Sequence, residues 1–261
     1  MNVHANDTVM PATFIIVADK FADFAINAQT ITLSQLKALM ALPTHLLQDR
    51  NRLLPGQGLS DDDCSEIVTL VENSRGHEDR WDITGLKALP SRAEAKLSHK
   101  RKPCNTLIGT PRTDGLDQYR IDLCIDEACE MMDDHQTGQH VQGMVLVEAA
   151  RQAFLAVTEK FFLQGMNHKS YFVINDMQTR FLGFVFPLAA HMIYRIVDKD
   201  INLRRQKFQV EIDLVQGSEV RASTRFGFTA YPEEVISAKE AELAMVATAQ
   251  VLKTVQPQHV A

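Results

Sequence analysis

Long apolar runs are missing from this chain. Charged or strongly polar residues interrupt every candidate, so no membrane-spanning helix is expected. Residues Met1 to Pro11 lack the basic and apolar regions of a secretory signal, and the expectation is a cytoplasmic protein. Cysteine is scarce, at four in 261 residues, which is too few and too scattered for a disulfide scaffold. Cys124 and Cys129 share a C-x4-C spacing, but Cys64 and Cys104 supply no matching pair. Buried reduced thiols are therefore expected in place of a zinc site. The G-x-S-x-G elbow, the P-loop and the G-x-G-x-x-G turn are all absent, as are internal repeats and low-complexity tracts. With 27 basic against 33 acidic residues the net charge is −6, which gives no reason to expect a nucleic-acid partner.

The residues present describe a globular chain, with 45% hydrophobic and 23% charged residues arguing against disorder. Its length suits one large domain, or a domain of about 150 residues with an extension. Thr13 to Ile26 is apolar and β-branched. Thr32 and Gln35 then have the form of a capping box, ahead of Leu33, Leu36, Leu39 and Met40 at helical spacing. Leu46, Leu47, Leu53 and Leu54 suggest a second short helix before the breaker Pro55-Gly56-Gln57-Gly58. Ser60 with Asp61, Asp62 and Asp63 opens a third, whose apolar face is Ile67, Val68, Leu70 and Val71. The basic cluster Lys96, His99, Lys100, Arg101 and Lys102 reads as a phosphate-contacting patch or a solvated linker, and charge runs favour the linker.

After Asp117 the pattern turns to β. Tyr119, Ile121, Leu123 and Ile125 alternate with polar neighbours. A loop rich in Asp, His and Gly leads into an apolar helix from about Gly143 to Leu163. Four strand-like stretches follow, at Tyr171 to Phe186, His191 to Val197, Phe208 to Val215 and Val220 to Ala230, with a hairpin turn at Gln216 to Glu219. A final helix runs from Pro232 to Val255. A strand, a long helix and an antiparallel meander make an α+β fold with the sheet wrapped around the helix. The expected organisation is a mainly helical N-terminal extension over residues 1–95, the α+β domain over 96–231 and a C-terminal helix and tail over 232–261.

On the central helix Glu148 and Arg151 lie about 60° apart and Gln152 about 40° from Glu148, while apolar residues fill most of the remaining arc. One reading is a narrow solvent stripe with an i,i+3 ion pair. The other is a site, because a general acid or base needs partial desolvation and an Arg beside a Glu holds it ionised or binds an anion. His135 and His140 stand in the loop just ahead, without zinc spacing, and no metal is expected. Gly138 and Gly143 allow close backbone approach, and N–H groups at the helix start can stabilise an oxyanion.

The residues Asp134-His135, His140-Val141-Gln142-Gly143-Met144 and Glu148-Ala149-Ala150-Arg151-Gln152-Ala153 together resemble the A-factor biosynthesis hotdog family, over roughly residues 97 to 230. The resemblance implies a hotdog fold. It also implies acyltransfer, in which a β-ketoacyl chain passes from a carrier protein or CoA to a small hydroxyl acceptor such as dihydroxyacetone phosphate. No cofactor beyond that acyl thioester is implied. Glu148, Arg151, His140 and His135 become the catalytic candidates, and Gly143, Gln152 and Met144 the substrate-binding ones. A single hotdog repeat completes its site by pairing, so a homodimer through the sheet is implied. Two further readings remain open: a hydroxyacyl-thioester dehydratase or thioesterase, and a non-catalytic module binding acyl groups or a partner.

Overall fold

The computed structural model describes residues 12–46, 51–73, 80–133, 137–164, 169–202 and 204–255. Two sheets organise them. The first is parallel, in the order β2-β1-β3-β4, from β1 (Thr13–Val17), β2 (Thr30–Thr32), β3 (Asn51–Pro55) and β4 (Trp81–Asp82). Helices α1 (Leu33–Met40), α2 (Asp61–Asn73) and the short α3 (Thr84–Lys87) accompany it. The capping box at α1 forms in both directions, Thr32 Oγ1 accepting from Gln35 N and Gln35 Oε1 from Thr32 N. More of this extension is helix than strand. The second short helix is a correction, because Asn51–Pro55 forms β3, which pairs with β1 and β4 and carries the fully buried Leu53. A short apolar run has the same appearance in a buried helix and a buried parallel strand.

The second sheet has six strands in the order β5-β6-β8-β9-β10-β7. They are β5 (Arg112–Thr113), β6 (Gln118–Asp122), β7 (Ser170–Phe181), β8 (His191–Ile201), β9 (Gln206–Gln216) and β10 (Glu219–Pro232). All its pairings are antiparallel. The alternation read from Tyr119 and Ile121 appears as buried residues on β6 between half-buried ones. Helix α4 (Gly143–Phe161) lies in the concavity, touching β7, β8, β9 and β10, with eleven of its residues buried. Phe154 on α4 stacks on Phe228 (4.4 Å between centroids) and meets Phe226 edge-on (4.9 Å). A long helix wrapped by an antiparallel sheet is the hotdog fold. A last helix, α5 (Glu233–Val255), leaves the end of β10.

The extension is joined to this domain through a shared core. Val17, Ala18, Phe21 and Phe24 belong to the same apolar cluster as α4 and the large sheet, and a second cluster fills the parallel-sheet unit. The crevice beyond the carboxyl ends of β1 and β3 is where parallel sheets with this strand reversal bind ligands. Here the segment after β6 reaches into it, beside a pocket of about 160 Å³ lined by Pro55, Gly56, Gln57, Arg92, Leu123 and Cys124. The Gln57 amide donates to Leu123 O (3.0 Å) and accepts from Ile125 N (2.8 Å), and Gly58 N donates to Ile125 O (3.1 Å).

The basic segment is the second correction. Its stretch packs against the hotdog, with Ala93, Ser98, Thr106, Leu107 and Ile108 all buried. His99 Nε2 lies 3.1 Å from Glu159 and Lys100 Nζ 2.7 Å from Glu148, both on α4, while Lys96 and Lys102 remain exposed. Among the described residues no helix is long and apolar enough to cross a membrane, and no group of three His, Cys, Asp or Glu could hold a metal ion. All four cysteines are free, and burial pushes the Cys124 thiol up to about 12, which leaves it protonated and unreactive.

Candidate functional site

Glu148 sits about one and a half turns into α4 with a side chain only 13% exposed. Arg151, one turn later, donates Nε to Oε2 at 2.7 Å and Nη2 to Oε1 at 2.8 Å in a bidentate clasp. Lys100 closes on Oε1 at 2.7 Å, and Gln152 Nε2 donates to the same oxygen at 3.0 Å. Burial alone pushes the carboxyl up, but these four contacts outweigh it and hold Glu148 down at about 2. A carboxylate so engaged is an anchor for cations and a poor proton acceptor.

Gln152 is wholly buried, which excludes the solvent-stripe reading for this face. Its Oε1 accepts from Leu107 N and its Nε2 donates to Asn105 O, each at 2.8 Å. It therefore ties the 105–107 segment to α4, and the same segment carries Lys100 into place a few residues earlier. Lys100 is the residue that sequence reasoning missed. Its only signal was membership of a charge run, and nothing local indicates a partner 48 residues away.

Arg151 is left as the group facing open space. It is 30% exposed, and its Nη1 has no hydrogen-bond partner among the described residues. With His99, Phe154, Leu155, Lys169, Phe172 and Ile174 it lines a pocket of about 320 Å³. Its lining sets Arg151, and Lys169 paired with Glu233 at 2.7 Å, beside the apolar Phe154, Leu155, Phe172 and Ile174.

His140 and Gly143 line a different pocket, of about 360 Å³, with Leu146, Phe181, Leu182 and Phe184. The His140 ring packs on Phe184 (4.7 Å), and its Nδ1 lies 3.1 Å from Thr137 Oγ1. Gly143 lets Phe181 close on the helix start, since a Cβ there would stand 3.0 Å from the ring. Gly138 is left-handed (φ 71°) and packed on Asp23; Phe24 N donates to Gly138 O at 3.0 Å, and Gln139 Nε2 to Asp23 O at 2.9 Å. The extension thus holds the loop that carries His140. Met144 is 61% exposed and lines neither pocket, and His135 lies outside the described residues.

Both pockets border the seam between α4 and β7: the helix start meets Phe181 at the end of the strand, and Arg151 shares its pocket with Phe172 and Ile174 near the strand's beginning. Ile174 and Met177 pair with Phe228 and Phe226, the residues packed on Phe154, so they too face the helix side of the sheet. Both are exposed, as is Phe181. The seam is a half-open apolar groove along a sheet edge, because β7 pairs with β10 on one side only among the described residues.

Three solved structures illustrate the likeness to known proteins. A mutant thioesterase from Pseudomonas aeruginosa is 13% identical, covering 56% of this chain and 97% of its own, with a TM-score of 0.38. A thioesterase from Haemophilus influenzae is 14% identical over 48% and 78%, with a TM-score of 0.33. An uncharacterized protein from Pyrococcus horikoshii is 22% identical over 49% and 85%, also with a TM-score of 0.33. No curated protein matches the sequence. The model of the A-factor biosynthesis hotdog domain matches residues 81–232, more than half of the chain, spanning the clasped Glu148, the Arg151 pocket and the His140 loop. The chain belongs to the A-factor biosynthesis hotdog domain family.

Proposed function

We propose that the protein is a cytoplasmic acyltransferase that moves a β-ketoacyl chain from a carrier protein or CoA to a small hydroxyl acceptor, working as a homodimer. The observation that carries this reading is the clasp on Glu148, which leaves Arg151 as a positioned cation at the end of an apolar groove. Such a groove suits an acyl chain, and a guanidinium at its end suits the polarised carbonyls or a phosphate of the reactants. The acyl thioester is already activated, so the reaction needs no cofactor.

The dimer rests on the bare edge of β7. Two copies paired antiparallel there would close both grooves about a two-fold axis. The beginning of one β7 would then lie beside the end of the other, bringing His140 of the partner subunit toward Arg151. Each site would draw its cation from one chain and its histidine loop from the other.

Glu148 anchors Arg151 in this account and takes no proton. That disfavours Glu148 as the base for either nucleophile, acceptor hydroxyl or water, so the products decide between transfer and hydrolysis. Incubation of the purified protein with β-ketoacyl thioesters and hydroxyl acceptors, followed by mass spectrometry, should show an ester and free thiol in equal amounts. Turnover should be lost in Arg151→Ala. Thiol released without ester would select a thioesterase, loss of water from hydroxyacyl thioesters a dehydratase, and tight binding without turnover a non-catalytic module.

A further inference from the structure

The pocket beside the parallel sheet shares no lining residue with the two pockets on the α4–β7 seam. It begins at Pro55, the last residue of β3, where the strand order reverses. Leu59 and Asp61 reach it from the parallel-sheet unit, Leu89 and Arg92 from the connecting stretch, and Ala189 and Ala190 from the hotdog domain. Whatever binds there touches both units of the chain.

Arg92 is the one cation in this lining, and its side chain is only 9% exposed. Its Nη1 donates to two backbone carbonyls, Thr106 O and Cys124 O, which fixes the plane of the guanidinium. The opposite edge carries Nε and Nη2, the fork with which Arg151 grips both oxygens of Glu148. In Arg92 that edge is nearly unfilled. Nε reaches Asp61 Oδ1 at a long 3.4 Å, and Nη2 has no hydrogen-bond partner among the described residues. Asp61 is itself 75% exposed at the start of α2, free to turn into water. The other carboxylate in the lining, Asp122, is engaged by Arg112 at 2.7 Å.

A mostly desolvated guanidinium, held by one nitrogen and offering two others to a pocket, is a preformed seat for a planar oxyanion. We propose that this pocket binds a small organic carboxylate, whose two oxygens take Nε and Nη2 of Arg92 in place of Asp61. Its apolar body would rest on Leu59, Leu89 and Ala190. A cavity of about 150 Å³ accepts a benzene ring, so the 160 Å³ here suits an acid of benzoate's size or smaller. A phosphate, with more charge and no apolar body, would face the carboxylates of Asp61 and Asp122 without using the apolar wall.

The test titrates benzoate, butyrate and inorganic phosphate separately into the isotope-labelled full-length protein, following the Arg92 Nε–H resonance. Each carboxylate should shift it saturably and raise the melting temperature, and phosphate should do neither. Asp61→Ala should tighten carboxylate binding about threefold or more, because the competing side chain is gone. Arg92→Lys keeps the charge without the fork and should abolish binding. Since that change also disturbs the Thr106 and Cys124 contacts, Ala189→Phe serves as a second variant, filling the pocket from an exposed position. It should abolish the shift and leave the melting temperature of the ligand-free protein unchanged. No shift with either carboxylate, or a shift that survives in Ala189→Phe, overturns the site. Weaker binding in Asp61→Ala overturns the displacement, and phosphate binding as tightly as either carboxylate overturns the assignment to an organic acid.

Discussion

Arg151 holds Glu148 through two parallel hydrogen bonds of 2.7 and 2.8 Å, one helical turn apart and mostly out of water. An i,i+3 pair on an open helix surface contributes a few tenths of a kcal/mol. This one differs because Lys100 and Gln152 share the same carboxylate, giving a net positive cluster with one guanidinium nitrogen uncommitted. The carboxylate aims the cation at the groove.

Replacing Glu148 with Gln should therefore destabilise the fold, since it leaves Arg151 and Lys100 together without their counter-charge. A loss on the order of 3 kcal/mol in urea unfolding is expected. Lys100→Met should cost less, about 1 kcal/mol, because the Arg151 clasp survives.

The same network sets a pH dependence. Glu148 is held at about 2 in the fold against an ordinary 4.5, so its contribution is fully present above about pH 4.5 and is lost as pH falls toward 2. The stability gap between the native chain and Glu148→Gln should stay constant from pH 8 to pH 5 and shrink below that. Denaturant midpoints across the series check it.

Gln152→Leu should leave Leu107 N and Asn105 O without partners beneath the helix. A cost of about 2 kcal/mol is expected, with no change in the pH at which Glu148 titrates beyond the loss of one of its four contacts. Calorimetric melting measures it.

Gly138→Ala places a Cβ 2.4 Å from Asp23 Oδ2 and forces a left-handed backbone on alanine. A cost of about 1–3 kcal/mol is expected. Proteolysis should then cut first between residues 137 and 143, because the extension no longer holds Gly138 and Gln139.

Local chemistry made several elements legible in the sequence. Thr32 and Gln35 announce α1, the alternation at Tyr119 and Ile121 announces β6, and the unbroken apolar arc around Glu148 announces a helix enclosed by a sheet. Leu53 and Leu54 misled because a short apolar run has no period of its own, and their strand character comes from β1 and β4 on either side. Lys100 was read as part of a solvated run because its partner is reached only through the fold. The pairing of Glu148 with Arg151 was visible from their spacing. Which of the two faces the groove was not, since that depends on Lys100 and Gln152 saturating the carboxylate.

The pH–rate profile of β-ketoacyl thioester turnover by the full-length protein tests the central claim most directly. If Glu148 anchors Arg151 and accepts no proton, the profile carries no limb belonging to Glu148 between pH 5 and pH 8, and Arg151→Gln lowers the rate by about a hundredfold or more at every pH. An acid limb within that range that disappears in Glu148→Gln would make Glu148 the base and contradict the account.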